Sequence, residues 1–161
     1  MESIATLNDA VGGVEVVMPE DMTKYNSEWT EGRRILLQGD GALIYLQRRD
    51  FKSEELGTNI RRMERQKQYL SVFADRLKGQ MKQELTFPLT LYKALEKHIV
   101  TSFTADEITY LATTLIGYEF SLEDVISLPG ESVMGEKNEE YHVDDALLRE
   151  IIIDVFYEKI S

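Results

Sequence analysis

The strongest structural constraint in the chain is a long stretch of helical periodicity near its middle. Apolar residues recur there at intervals of three, four and seven positions, at Ile60, Met63, Leu70, Phe73, Leu77 and Met81. This spacing places them on one face of a helix, and Thr58 or Asn59 can act as its N-cap. The pattern predicts an amphipathic helix over residues 60–81 that packs its apolar face on a core.

Two more helices are predicted downstream of this one. Pro88 opens a helical pattern that continues to Ile99, because proline is tolerated in the first turn of a helix. Thr104 and Glu107 have the spacing of a capping box, in which each side chain bonds to the backbone of the other. Gly117 marks the end of the helix that this box begins.

Strand signals are shorter and weaker. A glycine pair precedes the β-branched residues 14–18, which predict a strand that ends at Pro19. Residues 20–32 are polar with scattered aromatics and predict an irregular loop that could cover a site. Residues 42–46 form an apolar run that fits a helix or a strand. Residues 118–128 are interpreted as a strand before a Pro-Gly turn.

A last helix is predicted near the C terminus, with Asp144 or Asp145 as its N-cap. Its apolar positions are Leu147, Leu148, Ile151, Ile152, Val155 and Phe156. No internal repeat is present, and 161 residues fit one domain with a substantial core. The sequence therefore predicts a single α/β domain over residues 1–161, with helices packed on the faces of a mixed sheet, as in an αβα sandwich.

Several classes of protein are excluded by composition. The chain has no cysteine, so disulfides, thiolate catalysis and cysteine-ligated metal sites do not apply. No apolar run approaches the roughly 18 residues that cross a bilayer, and the first residues lack the basic start and apolar middle of a signal peptide. The sequence predicts a soluble chain.

Charge is divided unevenly along the chain. The formal net charge is -11, yet residues 31–83 contain 12 Lys and Arg against 7 Asp and Glu. An acidic protein repels nucleic acid as a whole, so a basic block in one third of the chain indicates a focused anion site instead of a nucleic-acid surface.

Arginines give this basic block its chemistry. Arg48 and Arg49 are followed by a second group at the start of the predicted long helix, in residues 61–66. Guanidinium groups match phosphate oxygens bidentately, and the first turn of a helix adds N–H groups and a positive dipole end, so together they suit a pyrophosphate. Surface pairing of Arg62 and Arg65 with Glu64, Asp50 or Glu54 is the alternative, and spacing does not decide between them.

Other chemistries have less support. The two histidines, His98 and His142, lie in an apolar helix and an acidic loop without a serine elbow, so no nucleophilic triad is predicted. The acidic residues around His142 are interpreted as loop solvation and a helix cap, not as a metal site. Gly39-x-Gly41 lacks the remaining residues of a nucleotide-binding loop and predicts a turn.

Six short segments of the chain form a collinear set. In order they are Gly12-Gly13-Val14-Glu15-Val16 with Pro19-Glu20-Asp21, Leu37-Gln38-Gly39-x-x-Ala42-Leu43-x-Tyr45, Arg49, Arg62-Met63-Glu64-Arg65-Gln66, Thr101-Ser102-Phe103-Thr104 with Glu107-Ile108, and Leu128-Pro129-Gly130-Glu131. Together they resemble the second, C-terminal part of the catalytic domain of the LytR-CpsA-Psr family of cell-wall enzymes. The resemblance covers nearly the whole chain.

This resemblance implies a phosphotransferase that moves a glycopolymer, such as teichoic acid or capsule, from a polyprenyl-pyrophosphate carrier onto peptidoglycan. In the family the arginines and the glutamine hold the pyrophosphate of the lipid-linked substrate, which agrees with the independent interpretation of the basic block. No catalytic residue is assigned. The residues expected to bind pyrophosphate are Gln47, Arg48, Arg49, Arg62, Arg65 and Gln66.

The sequence departs from the family pattern at three places. Gln47 stands where the family has the first arginine of its Y-x-R-x-R element, and Asn59 stands where it usually has an aspartate. The family's membrane segment, its early strands and its magnesium-binding aspartates would lie before Met1. The domain is therefore expected to be incomplete relative to the family domain, and the Mg²⁺ that the resemblance implies has no ligands carried over to this chain.

Two functions stay open after these departures: an enzyme or a fragment of one, and a non-catalytic binding or interaction module with the same fold. The resemblance implies an extracytoplasmic, membrane-associated location for a full-length member. It also implies an apolar tunnel for the polyprenyl tail, which Leu70, Phe73, Leu77 and Leu95 could line, although ordinary core packing is the favoured interpretation of these residues. Missing strands predict a homo-oligomer formed through an exposed edge or core face, and no nucleic-acid partner is expected.

Overall fold

The computed structural model of the chain describes residues 2–48, 58–119, 121 and 125–157. These residues form a mixed α/β fold, as the sequence predicts. The elements are α1 Glu2–Ala10, β1 Val14–Val17, β2 Arg34–Leu37, α2 Asp40–Gln47, α3 Thr58–Gln83, α4 Phe87–Leu95, α5 Ala105–Leu115, β3 Gly130–Met134, β4 Glu139–Val143 and α6 Asp145–Phe156.

The described strands form two separate antiparallel pairs, β1 with β2 and β3 with β4. In the first pair Val14 lies opposite Leu37, and both are buried. Gly13 precedes β1 with φ of +84°, a backbone conformation that glycine adopts without strain. The expected strand at residues 14–18 is confirmed at Val14–Val17, where alternate side chains face the core.

The segment 18–33, which joins β1 to β2, is ordered by its own hydrogen bonds. The Met18 N–H donates to the Arg33 carbonyl at 2.9 Å, and the Met22 N–H donates to the Trp29 carbonyl at 2.8 Å. Met18, Met22 and Trp29 are buried in the core. The loop that the sequence predicts is therefore a packed part of the domain, held against the strands by its apolar side chains.

Helix α3 is the long helix that the periodicity predicts, and it packs against β1, α2 and α4. Tyr69 and Met81 are buried along it, and the Tyr69 and Phe73 rings stack with centroids 6.0 Å apart. The apolar run at residues 42–46 belongs to α2, whose Ala42 and Tyr45 are fully buried. Burial of this face explains why the run is apolar.

A buried polar link ties α1, β2 and α3 together. Asn8 is fully buried, and its Nδ2 donates to the Leu37 carbonyl at 2.9 Å. The Tyr69 hydroxyl donates to Asn8 Oδ1 at 3.1 Å. Burial, and then the nearby Asp9 carboxylate, raises the pKa of Tyr69 to about 12. The hydroxyl thus stays protonated and the link stays intact over the neutral range.

The predicted starts of α4, α5 and α6 are confirmed, whereas Thr58 and Asn59, the N-cap candidates of the long helix, are the first two residues inside α3. Pro88 lies in the first turn of α4, although that helix ends at Leu95 and not at Ile99. Thr104 and Glu107 form the complete capping box of α5, and the Asp144 side chain accepts from two backbone N–H groups at the start of α6.

The strand expected at residues 118–128 is wrong, because the described residues of that segment have no strand pairing and the strand begins later, at Gly130. β3 instead pairs with β4, which has no strand signal in the sequence, because four of its five side chains are ionisable. Helix α1 was likewise unpredicted, since its residues show little apolar periodicity. None of the described helices combines the length and the apolar character needed to span a bilayer.

Candidate functional site

Three residues of the predicted anion site, Arg48, Arg65 and Gln66, lie where the C-terminal end of α2 packs against the first third of α3. Gln66 Nε2 donates to the Leu46 carbonyl at 3.1 Å. The Arg65 side chain reaches the same helix end and donates to the carbonyls of Tyr45 and Arg48. Residues that are about twenty positions apart in the chain are thereby brought to one place.

Arg65 is the buried centre of this junction, with only 2% of its surface exposed. Its Nε donates to the Tyr45 carbonyl at 2.9 Å, Nη2 donates to the Arg48 carbonyl, and Nη1 donates to the Glu20 carboxylate. All three nitrogens therefore bond inside the protein. A cation at the C-terminal carbonyls of α2 also interacts favourably with the negative end of that helix dipole.

The carboxylate that neutralises Arg65 comes from the segment between β1 and β2. Glu20 pairs through Oε1 with Arg65, and its Oε2 lies 3.2 Å from Nε of Arg61. The Glu20 side chain is 18% exposed, so the pair is shielded from water. The partners considered from spacing, Glu64 among them, are not those of Arg65; Glu64 lies 3.8 Å from Lys67 instead. Asp50 and Glu54 lie outside the described residues.

Two of these arginines lie next to aromatic rings. The Arg48 guanidinium lies 5.9 Å from the centroid of the Tyr25 ring, within the range of a cation–π interaction. Arg65 lies 5.8 Å from the Tyr45 ring centroid. Burial raises the pKa of Tyr45 strongly, Arg65 opposes that shift, and Glu20 adds to it. Tyr45 is therefore a neutral hydroxyl, which donates to Gln68 Oε1 at 2.6 Å.

The remaining predicted site residues are more accessible than Arg65. Gln47, Arg48 and Gln66 are exposed, and Arg62 is half-buried one turn before Gln66 on α3. Arg65 is therefore buried, Arg62 is partly buried, and Gln47, Arg48 and Gln66 are exposed to solvent. As a direct pyrophosphate ligand each of these residues stays a prediction. Arg49 lies outside the described residues.

The N-terminal end of α3 is held by a residue that sequence reasoning did not select. Glu139, at the start of β4, accepts from the Thr58 hydroxyl at 2.5 Å and from the Asn59 N–H at 3.4 Å. The carboxylate therefore lies at the positive end of the helix that carries the arginines, where it is electrostatically favoured. Only the tertiary fold reveals it, since about eighty residues separate the partners.

An apolar cavity of about 400 Å³ lies between α3, α4 and α5. Leu77 and Leu95, two of the four residues considered for a tunnel, line it, whereas Leu70 is exposed and Phe73 does not line it; Phe73 and Leu77 both pack against the buried core. The other apolar and aromatic side chains that line it are Ala74, Met81, Pro88, Leu91, Tyr92, Ile99, Phe103, Ile108, Leu111, Ala112, Leu115 and Ile116.

A magnesium ion needs several oxygen ligands close together, usually including carboxylates. Within the parts of the chain that the structure describes, no three His, Asp or Glu side chains lie close enough together to hold a metal ion. Glu20 forms ion pairs with two arginines, and Glu139 accepts hydrogen bonds at the start of α3, so these carboxylates already have partners. The described residues do not fit a magnesium site.

Comparison with solved structures shows the same fold in bacterial proteins. The Lin1025 protein from Listeria innocua matches with 27% identity and a TM-score of 0.60 over 94% of this chain and 61% of that one. B. subtilis TagV matches with 19% identity and a TM-score of 0.65 over 98% and 62%. A transcriptional regulator from Enterococcus faecalis matches with 20% identity and a TM-score of 0.63 over 92% and 52%.

The chain therefore spans about 60% of the length of the first two of these proteins. A search of the curated proteins found no significant match. The model of the LytR_cpsA_psr family matches residues 1–153, which include every described element of the site and the cavity. Because this match extends over nearly the entire chain, the protein belongs to the LytR-CpsA-Psr family.

Proposed function

We propose that the chain binds a polyprenyl-pyrophosphate-linked glycopolymer, as part of a phosphotransferase that transfers the polymer to peptidoglycan outside the cytoplasmic membrane. The observation that carries this proposal is the presence of an arginine-rich junction and an apolar cavity on one helix, α3. A lipid pyrophosphate has the matching combination of a doubly charged head and an apolar tail.

The head group would lie at the accessible side of the α2–α3 junction. Arg62 and Gln66 are four residues apart and share a face of α3, so both can reach one ligand. Arg48 is exposed at the facing end of α2. Transfer of a phosphoryl group depends chiefly on holding and neutralising phosphate oxygens, which guanidinium groups do through paired N–H donors.

The tail would lie in the cavity between α3, α4 and α5. Arg62 and Leu77 are fifteen residues apart, which corresponds to about 22 Å along a helix at 1.5 Å per residue. At about 100° per residue, Leu77 lies about 60° around the axis of α3 from Arg62 and about 20° from Gln66, so Leu77 borders the face of α3 on which the head group would lie. An isoprenoid chain of several units can bridge this distance.

Calorimetric titration with farnesyl pyrophosphate and with inorganic pyrophosphate tests the proposal. We expect Arg62→Ala to weaken the binding of both probes, because it removes a donor to the phosphate oxygens. Arg34→Ala is the matched control, since Arg34 lies on β2 in an exposed ion pair with Glu15. Equal affinities of the wild type and the Arg62→Ala variant would contradict the assignment of the head site.

The tail site has a separate test. Ala112 lines the cavity from α5, and its replacement by Trp would fill part of the cavity. We expect Ala112→Trp to weaken farnesyl pyrophosphate binding while inorganic pyrophosphate binds as before. Thr114→Trp, at an exposed position of the same helix, is the control. If the Ala112→Trp variant bound both probes more weakly, or bound both as the wild type does, a tail in this cavity would be contradicted.

A non-catalytic binding module is the second candidate, favoured by Gln47 at a position where the family resemblance leads us to expect an arginine. A neutral amide still donates to phosphate but contributes no charge to the transition state. Transfer or pyrophosphate cleavage measured with magnesium present separates the two candidates. Binding without turnover would favour the module, and turnover would favour the enzyme.

A further inference from the structure

We propose that Glu20 is a positioning residue of the anion site, which fixes the C-terminal end of α2 through the buried guanidinium of Arg65. The part of this inference that concerns pyrophosphate affinity rests on the proposed function. The part that concerns the geometry of the α2–α3 junction does not.

The position of Arg65 depends on Glu20 because burial of a lone cation is unfavourable. A guanidinium at 2% exposure has lost nearly all its water, and two of its three nitrogens bond only to neutral carbonyls. The Glu20 carboxylate supplies the compensating charge. Without that charge, a buried arginine is expected to turn toward solvent, which would release the Tyr45 and Arg48 carbonyls.

Release of these carbonyls would move the residues expected to contact the phosphates. Arg48 is itself one of the accessible cations, and its carbonyl is held by Arg65. Gln47 immediately precedes it at the last position of α2. Glu20 thus acts on the site through the backbone of α2, without contact with the ligand.

The segment between β1 and β2 also contacts the Arg48 side chain directly. Tyr25 lies five residues after Glu20, and its ring contacts the Arg48 guanidinium. Hydrogen bonds at Met22 and Trp29 order the segment between β1 and β2 that carries both residues. This segment therefore aligns the arginines through a carboxylate and an aromatic ring, a role beyond the covering loop that the sequence predicts.

The proposal makes a prediction opposite in sign to simple electrostatics. If Glu20 were only an acidic neighbour of the site, its neutralisation would raise the affinity for an anion, because a repulsive charge is removed. If it positions the site, Glu20→Gln lowers that affinity, and we expect a change of about tenfold by analogy with the loss of hydrogen-bond partners that orient metal ligands. The sign of the change distinguishes the two roles.

The experiment compares the wild type with Glu20→Gln, Glu20→Asp and Glu28→Gln in the same chain. Glu28 lies in the same segment and forms an exposed pair with Arg33, so its variant removes one charge without affecting the junction. Inorganic pyrophosphate is titrated calorimetrically at physiological ionic strength. We expect weaker binding for Glu20→Gln, partial recovery for Glu20→Asp, and unchanged or slightly tighter binding for Glu28→Gln.

The Arg65 Nε–H resonance gives a readout that does not require a ligand. A buried, hydrogen-bonded Nε–H exchanges slowly with water, so we expect a protected signal in the wild type and in Glu28→Gln, and its loss in Glu20→Gln. If Glu20→Gln does not fold, Glu20→Asp provides the measurement, since it keeps the charge and shortens its reach. Protection intermediate between wild type and an exposed arginine is then expected.

The outcomes separate this inference from the proposed function. A wild type that does not bind pyrophosphate contradicts the proposed function, while the Nε–H signal still tests the role of Glu20 in the junction. A Glu20→Gln variant that keeps the protected signal, or that binds pyrophosphate as tightly as the wild type or more tightly, overturns the positioning role.

Discussion

Replacement of Tyr69 by Phe tests the buried link between α1 and α3. The hydroxyl donates to Asn8 Oδ1 at 3.1 Å, and Asn8 has no exposed surface, so the variant leaves a buried acceptor without its donor. Such a loss lowers the free energy of unfolding by about 1–3 kcal/mol. Tyr110→Phe is the control, because Tyr110 is 70% exposed on α5 and should change stability by less than about 0.5 kcal/mol.

The same substitution has a distinctive dependence on pH. The pKa of Tyr69 is raised from 10.0 to about 12 in the folded chain, so the unfolded state loses its phenolic proton first. The stability that this shift represents, about 2–3 kcal/mol for two pKa units, is present below pH 10 and is lost as the pH rises from 10 through about 12. A phenylalanine has no proton to lose. The wild type and Tyr69→Phe should therefore converge in stability over this range.

Urea unfolding followed by tryptophan fluorescence measures both effects. Trp29 is the single tryptophan and is 5% exposed in the folded chain, so its emission reports loss of the core. Titration of lysines and of Tyr45 affects both proteins alike and cancels in their difference. A difference that stays constant from pH 7 to pH 12, or equal stabilities at pH 7, would refute the reasoning about this link.

Two further predictions concern local structure. Thr104→Ala should lower the free energy of unfolding by about 1 kcal/mol by removing the N-cap of α5. Hydrogen bonds from the Thr104 backbone N–H and then from its hydroxyl hold the pKa of Glu107 below its ordinary value. The variant should therefore raise the pKa of Glu107 in an NMR titration. In the wild type, the stability that this lowered pKa contributes should be lost as the pH falls through the folded-state pKa of Glu107. Gly13→Ala should cost about 1–3 kcal/mol in urea unfolding, because φ is +84° and a Cβ would lie 2.8 Å from the Leu37 carbonyl oxygen; an unchanged midpoint would mean that this turn relaxes freely.

The elements that the sequence predicts correctly are those whose signals are local. Thr104 and Glu107 satisfy each other within one turn, so their spacing alone identifies the start of α5. The apolar spacing along α3 extends over six turns and cannot fit a strand. Such features need no knowledge of what the helix packs against.

The elements that the sequence misses depend on distant partners. β4 contains Glu139, Glu140 and His142, a composition that indicates a loop, yet it pairs along its length with β3. Its strand conformation follows from that pairing and not from burial, because most of its side chains are exposed. A polar two-stranded ladder therefore leaves little trace in the hydrophobic pattern.

In the candidate site, too, some features could be predicted from local sequence and others depend on distant residues. The clustering of arginines is visible in the sequence, but their roles are not, because Arg62 and Arg65 are only about 60° apart around the axis of α3. A small rotation of α3 would change which of the two arginines faces the end of α2. The apolar positions of the helix, which both arginines border, define this rotation only approximately. The carboxylate that selects Arg65 for burial comes from Glu20, forty-five residues earlier. Burial of Arg65 against one carboxylate and two carbonyls occupies all three of its nitrogens, so in the proposed site it would support the residues that contact the ligand. In the anion site that we propose, Glu20 is the internal partner of the buried arginine, and its loss should therefore most clearly separate folding from binding.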